Sequence, residues 1–122
     1  MANILVVDDE PLICSMLQAL LTREGHDVII AGDGRQAIQA VETNEIDLII
    51  VDIVMPEKDG LEAIIEIRRI TPDMKIIAIS GGSRIGNADF LSMARKFGAC
   101  ATFYKPLDNN ALLKAIDRCL EI

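Results

Sequence analysis

The sequence predicts an α/β protein in which helices cover both faces of a parallel sheet. Two observations support this prediction. Five short apolar runs alternate with five helical patterns, and the apolar runs lack the polar alternation of half-exposed strands. Parallel strands need crossover connections, for which a helix is the usual solution. Right-handed crossovers then give an open, doubly wound sheet.

The predicted strands are short runs of mainly aliphatic residues. They span residues 4–7, 28–31, 48–51, 75–79 and 101–104. The first strand, Ile4 to Val7, has no polar residue on either face, so we expect helices to cover both of its sides. Its exit should therefore lie in a crevice between layers of the protein.

The predicted helices follow the strands and are recognised by apolar residues at helical spacing. Pro11 is favourable at a first helical position, and Asp108 is a suitable N-cap. Five helices are predicted: from Pro11 to a stop at Gly25, over residues 35–42, after Asp59-Gly60 to a break at Thr71-Pro72, over about residues 87–97, and after Asp108.

Length and composition favour one cytoplasmic domain over residues 1–122, of which 51% are hydrophobic. No apolar run reaches the ~18 residues that a membrane span needs, and the first residues do not resemble a secretion signal. We therefore expect no membrane association. The net charge of −7, without a basic cluster, argues against direct nucleic-acid binding and favours a protein partner or a cation.

The cysteines and the histidine give no sign of a metal site. Cys14, Cys100 and Cys119 are far apart and lack metal-ligand spacing. We expect reduced thiols packed in the interior, with a redox role as the weaker alternative. His26, the only histidine, follows Gly25 in a predicted turn, so we expect it at the surface.

Polar side chains follow four of the predicted strands. Asp8 and Asp9 follow the first strand, Asp52 the third, Ser80 the fourth and Lys105 the fifth. Doubly wound sheets bind ligands at this edge, so we expect the five groups to converge. Three carboxylates in a crevice repel one another, and their hard oxygens suit Mg²⁺, which would neutralise the cluster.

These groups can together accept a phosphoryl group. Asp52 would attack phosphorus in line, while Mg²⁺ and Lys105 neutralise the equatorial oxygens and Ser80 donates a hydrogen bond to one of them. The product would be an acyl phosphate. Glu10 would serve as a second-sphere acid near the metal and as a favourable charge at the start of the first helix.

The motifs VVDDE, VDIVMPEKDG, AIS and YKP, in this order, resemble the receiver domain of two-component response regulators over essentially the whole chain. The resemblance implies five helices around a five-stranded sheet of order 2-1-3-4-5, a flavodoxin-like three-layer sandwich. It implies Asp52 as the phosphoacceptor, Ser80 as the switch hydroxyl and Lys105 as the phosphate-binding cation. It also implies a cis peptide bond between Lys105 and Pro106.

The same resemblance implies a metal site and partners. Asp9 would bind Mg²⁺ directly, Asp8 mainly through water, and the Val54 carbonyl would be a further ligand beside Asp52. A histidine kinase or phosphotransfer protein would donate the phosphoryl group in a phosphorelay, and the domain would assist its own phosphorylation and dephosphorylation. An unknown downstream protein would bind the face of the fourth helix, fifth strand and fifth helix.

Two departures from the family pattern concern the conformational response to phosphorylation. The family often has an aromatic residue three positions before the lysine, where this chain has Thr102. Strand alternation should point the neighbouring Phe103 to the opposite face of the sheet. The glycine-rich loop of residues 81–86 is longer than usual, and we expect this loop to respond to phosphorylation.

Three alternative functions stay open. One is a receiver-like interaction module that is not phosphorylated, although all five expected site residues are present. Another is an aspartate-nucleophile phosphohydrolase, which would commonly need a second acid where this chain has Val54. The third is a flavin-binding module, which is disfavoured because the loop after the first strand is acidic and lacks a phosphate cradle.

Overall fold

The computed structural model describes residues 2–53, 60–80, 92 and 94–121 of the chain. Its strands are β1 (Asn3–Val7), β2 (Asp27–Ala31), β3 (Leu48–Asp52), β4 (Lys75–Ser80) and β5 (Ala101–Tyr104). The helices are α1 (Pro11–Arg23), α2 (Gly34–Thr43), α3 (Gly60–Ile70), α4 (helical residues 92 and 94–96) and α5 (Asn109–Leu120). The predicted alternation of strands and helices is confirmed.

Three sequence-based expectations lie outside the described residues. They concern the Val54 carbonyl, the glycine-rich loop of residues 81–86 and the start of the fourth predicted helix at residue 87.

The five strands form one parallel sheet in the order β2-β1-β3-β4-β5, which confirms the predicted topology. Strand order reverses between β1 and β3, where Val7 pairs with Val51. In sheets of this kind a crevice opens beyond the carboxyl ends of the strands on either side of the reversal. The topology therefore places the residues after β1 and β3 at the position where such proteins bind ligands.

Two hydrophobic layers account for the lack of polar alternation in the central strands. Leu5 and Val7 point to the side of the sheet that α2 and α3 cover. Ile4 and Val6 point to the side that α1 and α5 cover. All four are at most 1% exposed. Because burial of one such side chain stabilises a fold by about 1.5–3 kcal/mol, β1 is firmly held in this position.

Local signals in the sequence fix the helix starts that position the site. Pro11 is the first residue of α1, as predicted. The Asp108 carboxylate accepts a hydrogen bond from the Ala111 backbone N–H, so the predicted N-cap of α5 is confirmed. Across the described residues, no helix has the length and the apolar character that crossing a membrane would require.

The prediction of three reduced cysteines is wrong for two of them. Cys100 and Cys119 form a disulfide, with their Cα atoms 6.2 Å apart, whereas Cys14 is free and buried. Cys100 directly precedes β5, and Cys119 lies in the last turn of α5. A sequence separation of 19 hides this proximity, which arises because α5 packs back along the strand it follows.

The prediction of a surface His26 is also wrong. This side chain is only 7% exposed. Its Nδ1 atom accepts a hydrogen bond of 3.1 Å from the Ala2 backbone N–H. The pairing of β1 with β2 causes the burial, since the alignment of Asn3 with Asp27 brings the preceding residues of the two strands together.

Candidate functional site

The carboxyl ends of four strands bring the predicted side chains to one edge of the sheet. Asp8 follows β1, Asp52 and Ser80 end β3 and β4, and Lys105 follows β5. Asp8, Asp52 and Ser80 are 2%, 4% and 2% exposed. Folded chains rarely bury carboxylates unless they are paired, and a cluster of buried polar groups at a strand edge is typical of a functional site, so this edge is the candidate functional site.

The Lys105 ammonium lies at the centre of this cluster. Its Nζ atom is 2.9 Å from Asp8 Oδ2 and 3.1 Å from Asp52 Oδ2, and it also contacts Glu10 Oε1. A single cation therefore bridges three carboxylates. The side chains of Lys105, Asp8 and Asp52 are 11%, 2% and 5% exposed, so water screens the attraction of Lys105 to these two carboxylates little, whereas Glu10 is exposed.

A backbone hydrogen bond holds the carboxyl end of β5 beside the carboxyl end of β4. The Lys105 N–H donates a hydrogen bond of 3.0 Å to the Ser80 carbonyl oxygen. The Lys105–Pro106 peptide bond is cis, as predicted. The hydrogen bond fixes the point from which the lysine side chain extends, so the register of β4 and β5 determines where the ammonium lies.

Burial and pairing shift the pKa values of two groups in opposing ways. Burial raises the pKa of Asp8, although the Glu10 backbone N–H and Lys105 oppose this shift. For Lys105, burial lowers the pKa, but hydrogen bonds to Glu10 and Asp8 and the Asp52 charge outweigh it, so the pKa is raised. Lys105 is therefore a permanent ammonium at neutral pH.

The acid cluster has a different membership from the one that the sequence predicted. Carboxylate oxygens of Asp8, Glu10 and Asp52 lie within 4.8 Å of one another. Within the described residues Asp9 does not join this group; it is exposed and lines a neighbouring cavity of about 420 Å³ bounded by α1, β2 and the start of α2. The run of three consecutive acids was the only sequence signal for the place of Glu10.

The Ser80 hydroxyl is buried without a hydrogen-bond partner among the described residues. An unsatisfied buried hydroxyl costs about 1–3 kcal/mol, and native proteins usually avoid this cost. The hydroxyl lies on the last residue of β4, at the edge that carries the acid cluster. An incoming oxygen atom could accept its hydrogen bond and remove the cost.

Thr102, at the position where an aromatic residue is frequent, contacts α4. It pairs with Ala78 across the sheet. Its hydroxyl accepts a hydrogen bond of 2.9 Å from Arg95 Nη2, a contact that sequence reasoning missed. Phe103 packs on the opposite face, as predicted. A polar contact between β5 and α4 therefore involves the threonine.

Gly60 brings the start of α3 directly against the backbone of Asp52. A Cβ atom at this position would overlap the Asp52 carbonyl oxygen and would lie 2.6 Å from Ile53 Cα. Real Cβ atoms essentially never approach other atoms so closely. The close contact therefore requires glycine, and it fixes α3 beside the residue that ends β3.

Sequence comparisons match this site to a known family. The model of the response regulator receiver domain matches residues 4–117. The transcriptional regulatory protein GlrR of Escherichia coli is 34% identical over 120 residues, which cover 98% of this chain and 26% of GlrR. The chain thus spans about a quarter of this curated relative and about half of some others.

Solved structures agree with the sequence comparisons. A CheY-like receiver domain protein from Methanospirillum hungatei JF-1 has a TM-score of 0.90 and 28% identity, covering 99% of this chain and 94% of its own. TrrA from Thermotoga maritima, solved in complex with Mg²⁺-BeF, has a TM-score of 0.84 and 34% identity, covering 98% and 100%. The acid cluster fits the phosphoacceptor site of such proteins. The chain belongs to the response regulator receiver domain family of two-component signalling.

Proposed function

We propose that Asp52 is the phosphoacceptor of this receiver domain, and that residues 1–122 form one such domain. The observation that carries the proposal is the Lys105 ammonium, 3.1 Å from the Asp52 carboxylate. The buried hydroxyl of Ser80 at the same edge, which has no hydrogen-bond partner in the described part of the chain, supports it. A phosphoryl group on Asp52 would bring negatively charged oxygens to a cation and to a hydrogen-bond donor.

The donor would be a phosphorylated histidine of a kinase or phosphotransfer protein, the class of partner with which receiver domains interact. An Asp52 oxygen would attack phosphorus as the P–N bond to the histidine breaks, and the imidazole would leave with the electron pair. Lys105 would neutralise phosphoryl oxygens, and Ser80 would donate a hydrogen bond to one of them. The same groups would later assist hydrolysis of the acyl phosphate by water.

The donor atoms of the cluster fit Mg²⁺, since they are carboxylate oxygens grouped within 4.8 Å of one another. Asp8, Glu10 and Asp52 would hold the ion, and family resemblance adds Asp9 and the Val54 carbonyl. When bound, Mg²⁺ supplies positive charge to the phosphoryl oxygens. Lys105 would then give up its contact with Glu10 and turn towards the phosphoryl group on Asp52.

Output would pass to a partner on the α4, β5 and α5 face. Tyr104 at the end of β5 is 57% exposed there, and Arg95 donates its hydrogen bond to Thr102 on the same strand. Movement of the Ser80 hydroxyl towards the phosphoryl group would disturb the exit of β4, which leads into α4. We propose that the Arg95–Thr102 contact takes the place of an aromatic switch.

The site of action would be the cytoplasm, where two-component regulators meet their kinases. Direct nucleic-acid contact is not expected for this domain, because its net charge of −7 repels a phosphate backbone. The curated relatives are longer and are named transcriptional regulatory proteins, so their remaining segments, rather than the part matched here, could supply such contacts.

Incubation with acetyl phosphate and Mg²⁺, followed by intact mass measurement, tests the proposal. The wild type should gain the mass of one phosphoryl group, and Asp52→Asn should gain none. Asp47→Asn, which changes another carboxylate near the sheet but outside the cluster, is the matched control and should label like the wild type. Equal labelling of Asp52→Asn would overturn the assignment.

Hydrogen exchange tests the route of the output. Addition of beryllofluoride and Mg²⁺, which mimic the phosphoryl group, should change exchange most in residues 81–91 and at the Arg95 contact. Thr102→Val, which removes the hydroxyl at constant shape, should uncouple α4 from β5 while leaving Asp52 phosphorylation intact. A response confined to β5 would contradict this route.

A further inference from the structure

The Cys100–Cys119 disulfide lies at the end of the sheet away from the acid cluster. Cys100 precedes β5, whereas Lys105 follows it. The bond joins the amino end of this four-residue strand to the last turn of α5. The phosphoacceptor site does not use either sulfur atom, so the bond needs an explanation of its own.

The two cysteine residues of the disulfide differ in their exposure to solvent. Cys100 is exposed and lines a cavity of about 740 Å³, whereas Cys119 is buried at 7% exposure. An incoming thiolate can therefore reach Cys100, with Cys119 as the leaving group. Three cations, Arg68, Lys75 and Lys96, and one carboxylate, Asp73, line the same cavity, and the excess of positive charge favours thiolates.

The surroundings of Cys100 also suit its reduced form. The Cys100 sulfur lies 3.2 Å from the Ile76 carbonyl oxygen. A disulfide sulfur has no proton to donate, but a thiol at this position can donate one to the carbonyl without moving. Both oxidation states of Cys100 therefore fit the same backbone.

We propose that Cys100 and Cys119 are a reversible redox site that exchanges with dithiol reductants, separately from phosphorylation. A reductant thiolate attacks the Cys100 sulfur, the S–S bond breaks, and Cys119 leaves as a thiolate that takes up a proton. The second reductant thiol attacks the mixed disulfide and releases Cys100. Two electrons and two protons reach the protein, and the reductant becomes a disulfide.

The redox state controls how firmly the last turn of α5 is attached to the sheet. The disulfide closes a loop across a sequence separation of 19 residues that contains β5 and most of α5. Without it, this turn keeps packing contacts and an exposed ion pair of 3.7 Å between Lys75 and Glu121. Exposed pairs of this kind contribute little, so reduction loosens the end of α5.

Thiol counting tests the proposal. Native protein is equilibrated in dithiothreitol buffers of graded potential, quenched in acid, denatured and alkylated, and its mass is measured. We expect one alkylated thiol, Cys14, at the oxidising end and three at the reducing end, with a single two-electron transition. Reduction should lower Tm by roughly 5–10 °C and speed hydrogen exchange in residues 116–121.

Three variants serve as controls. Cys14→Ala should lower both thiol counts by one without moving the transition, because Cys14 is buried and is not part of the disulfide. Cys119→Ser and Cys100→Ser should each abolish the two-electron transition, and oxidised glutathione should label the former faster. Three thiols in every buffer, or reduction only after unfolding, would overturn the proposal. Either result would leave the assignment of Asp52 untouched.

Discussion

Lys105 and Arg68 are both cations that lie against several oxygen atoms, but they occupy opposite ends of the sheet. Lys105 contacts the carboxylates of Asp8, Glu10 and Asp52 beyond the strand exits. Arg68, in the last turn of α3, donates to main-chain carbonyl oxygens near the entries of β4 and β5. These belong to Pro72 at 2.9 Å, Phe97 at 2.9 Å, Gly98 at 2.8 Å and Met74.

The kind of acceptor separates a reactive site from a structural one. Carbonyl oxygens are fixed by the backbone and carry no net charge, so Arg68 holds two connecting segments in place. Carboxylates carry charges that another cation or a phosphoryl group can compete for, so the contacts of Lys105 can be exchanged. Burial lowers the pKa of Arg68 and outweighs the opposing Asp73 charge, whereas at Lys105 hydrogen bonds to Glu10 and Asp8 and the Asp52 charge outweigh burial and raise the pKa.

The largest expected effect is on phosphorylation by acetyl phosphate. Lys105→Met should slow labelling of Asp52 about 100- to 1,000-fold, because it removes a preorganised charge from the phosphoryl oxygens. Time courses of intact mass measure the rate. Lys114→Met, at an exposed lysine of α5, is the control and should label at the wild-type rate. If Lys105→Met is phosphorylated at the wild-type rate, Lys105 has a structural role like that of Arg68.

Arg68→Met should destabilise the fold without affecting the chemistry. It leaves four carbonyl oxygens without their donor, and we expect a loss of about 3 kcal/mol in the free energy of unfolding. Urea denaturation measures the loss, and the exposed neighbour Arg69→Met is the control. If the phosphorylation rate falls tenfold in folded Arg68→Met, the amino end of the sheet does not have a purely structural role.

Mg²⁺ should stabilise the carboxylate end by a smaller amount. At ten times its Kd, an ion that binds only the folded state adds about 1.4 kcal/mol, read as a rise in Tm. Asp9→Ala should lose most of this gain, as family resemblance implies. Glu10→Gln should lose a smaller part of the Mg²⁺-induced rise in Tm. A larger loss in Glu10→Gln than in Asp9→Ala would make Glu10 the principal ligand. If Mg²⁺ does not change the Tm of the wild type, the proposal of a metal site is wrong.

The smallest effect concerns pH. Because burial raises the folded pKa of Asp8, its ionisation destabilises the fold, and the destabilisation develops as pH rises from 3.8 through the raised value. In metal-free protein, the stability difference between wild type and Asp8→Asn should therefore shift in favour of the wild type as pH falls through this range. If the free energies of unfolding of the two proteins change with pH in parallel, the attraction of Lys105 fully offsets the effect of burial on the Asp8 carboxylate.

The carboxyl end of the sheet was largely predictable from sequence. A parallel sheet places every strand exit on the same edge, so the convergence of Asp8, Asp52, Ser80 and Lys105 followed from strand positions alone. The sequence placed Glu10 near the metal as a second-sphere acid, but it did not give the direct contact with Lys105, which depends on the direction of a long side chain just before a proline-initiated helix. Local sequence carries no such information.

The amino end of the sheet was hardly predictable. Two of the four carbonyl contacts of Arg68, those to Phe97 and Gly98, join segments 29 and 30 residues apart in sequence. The Cys100–Cys119 pairing and the burial of His26 also depend on which elements pack side by side. No periodicity or motif marks such contacts, since each partner looks ordinary until the strands are aligned.

The contact between Gly60 and Asp52 sets an unusual limit on variation in this domain. Position 60 contributes no reactive atom, yet it has room for nothing larger than hydrogen. In a saturation library selected for signalling, it should tolerate as few substitutions as Asp52, the proposed phosphoacceptor. Positions that accept few substitutions in such a library would therefore include residues that the site needs for steric reasons as well as residues that it needs for their reactive groups.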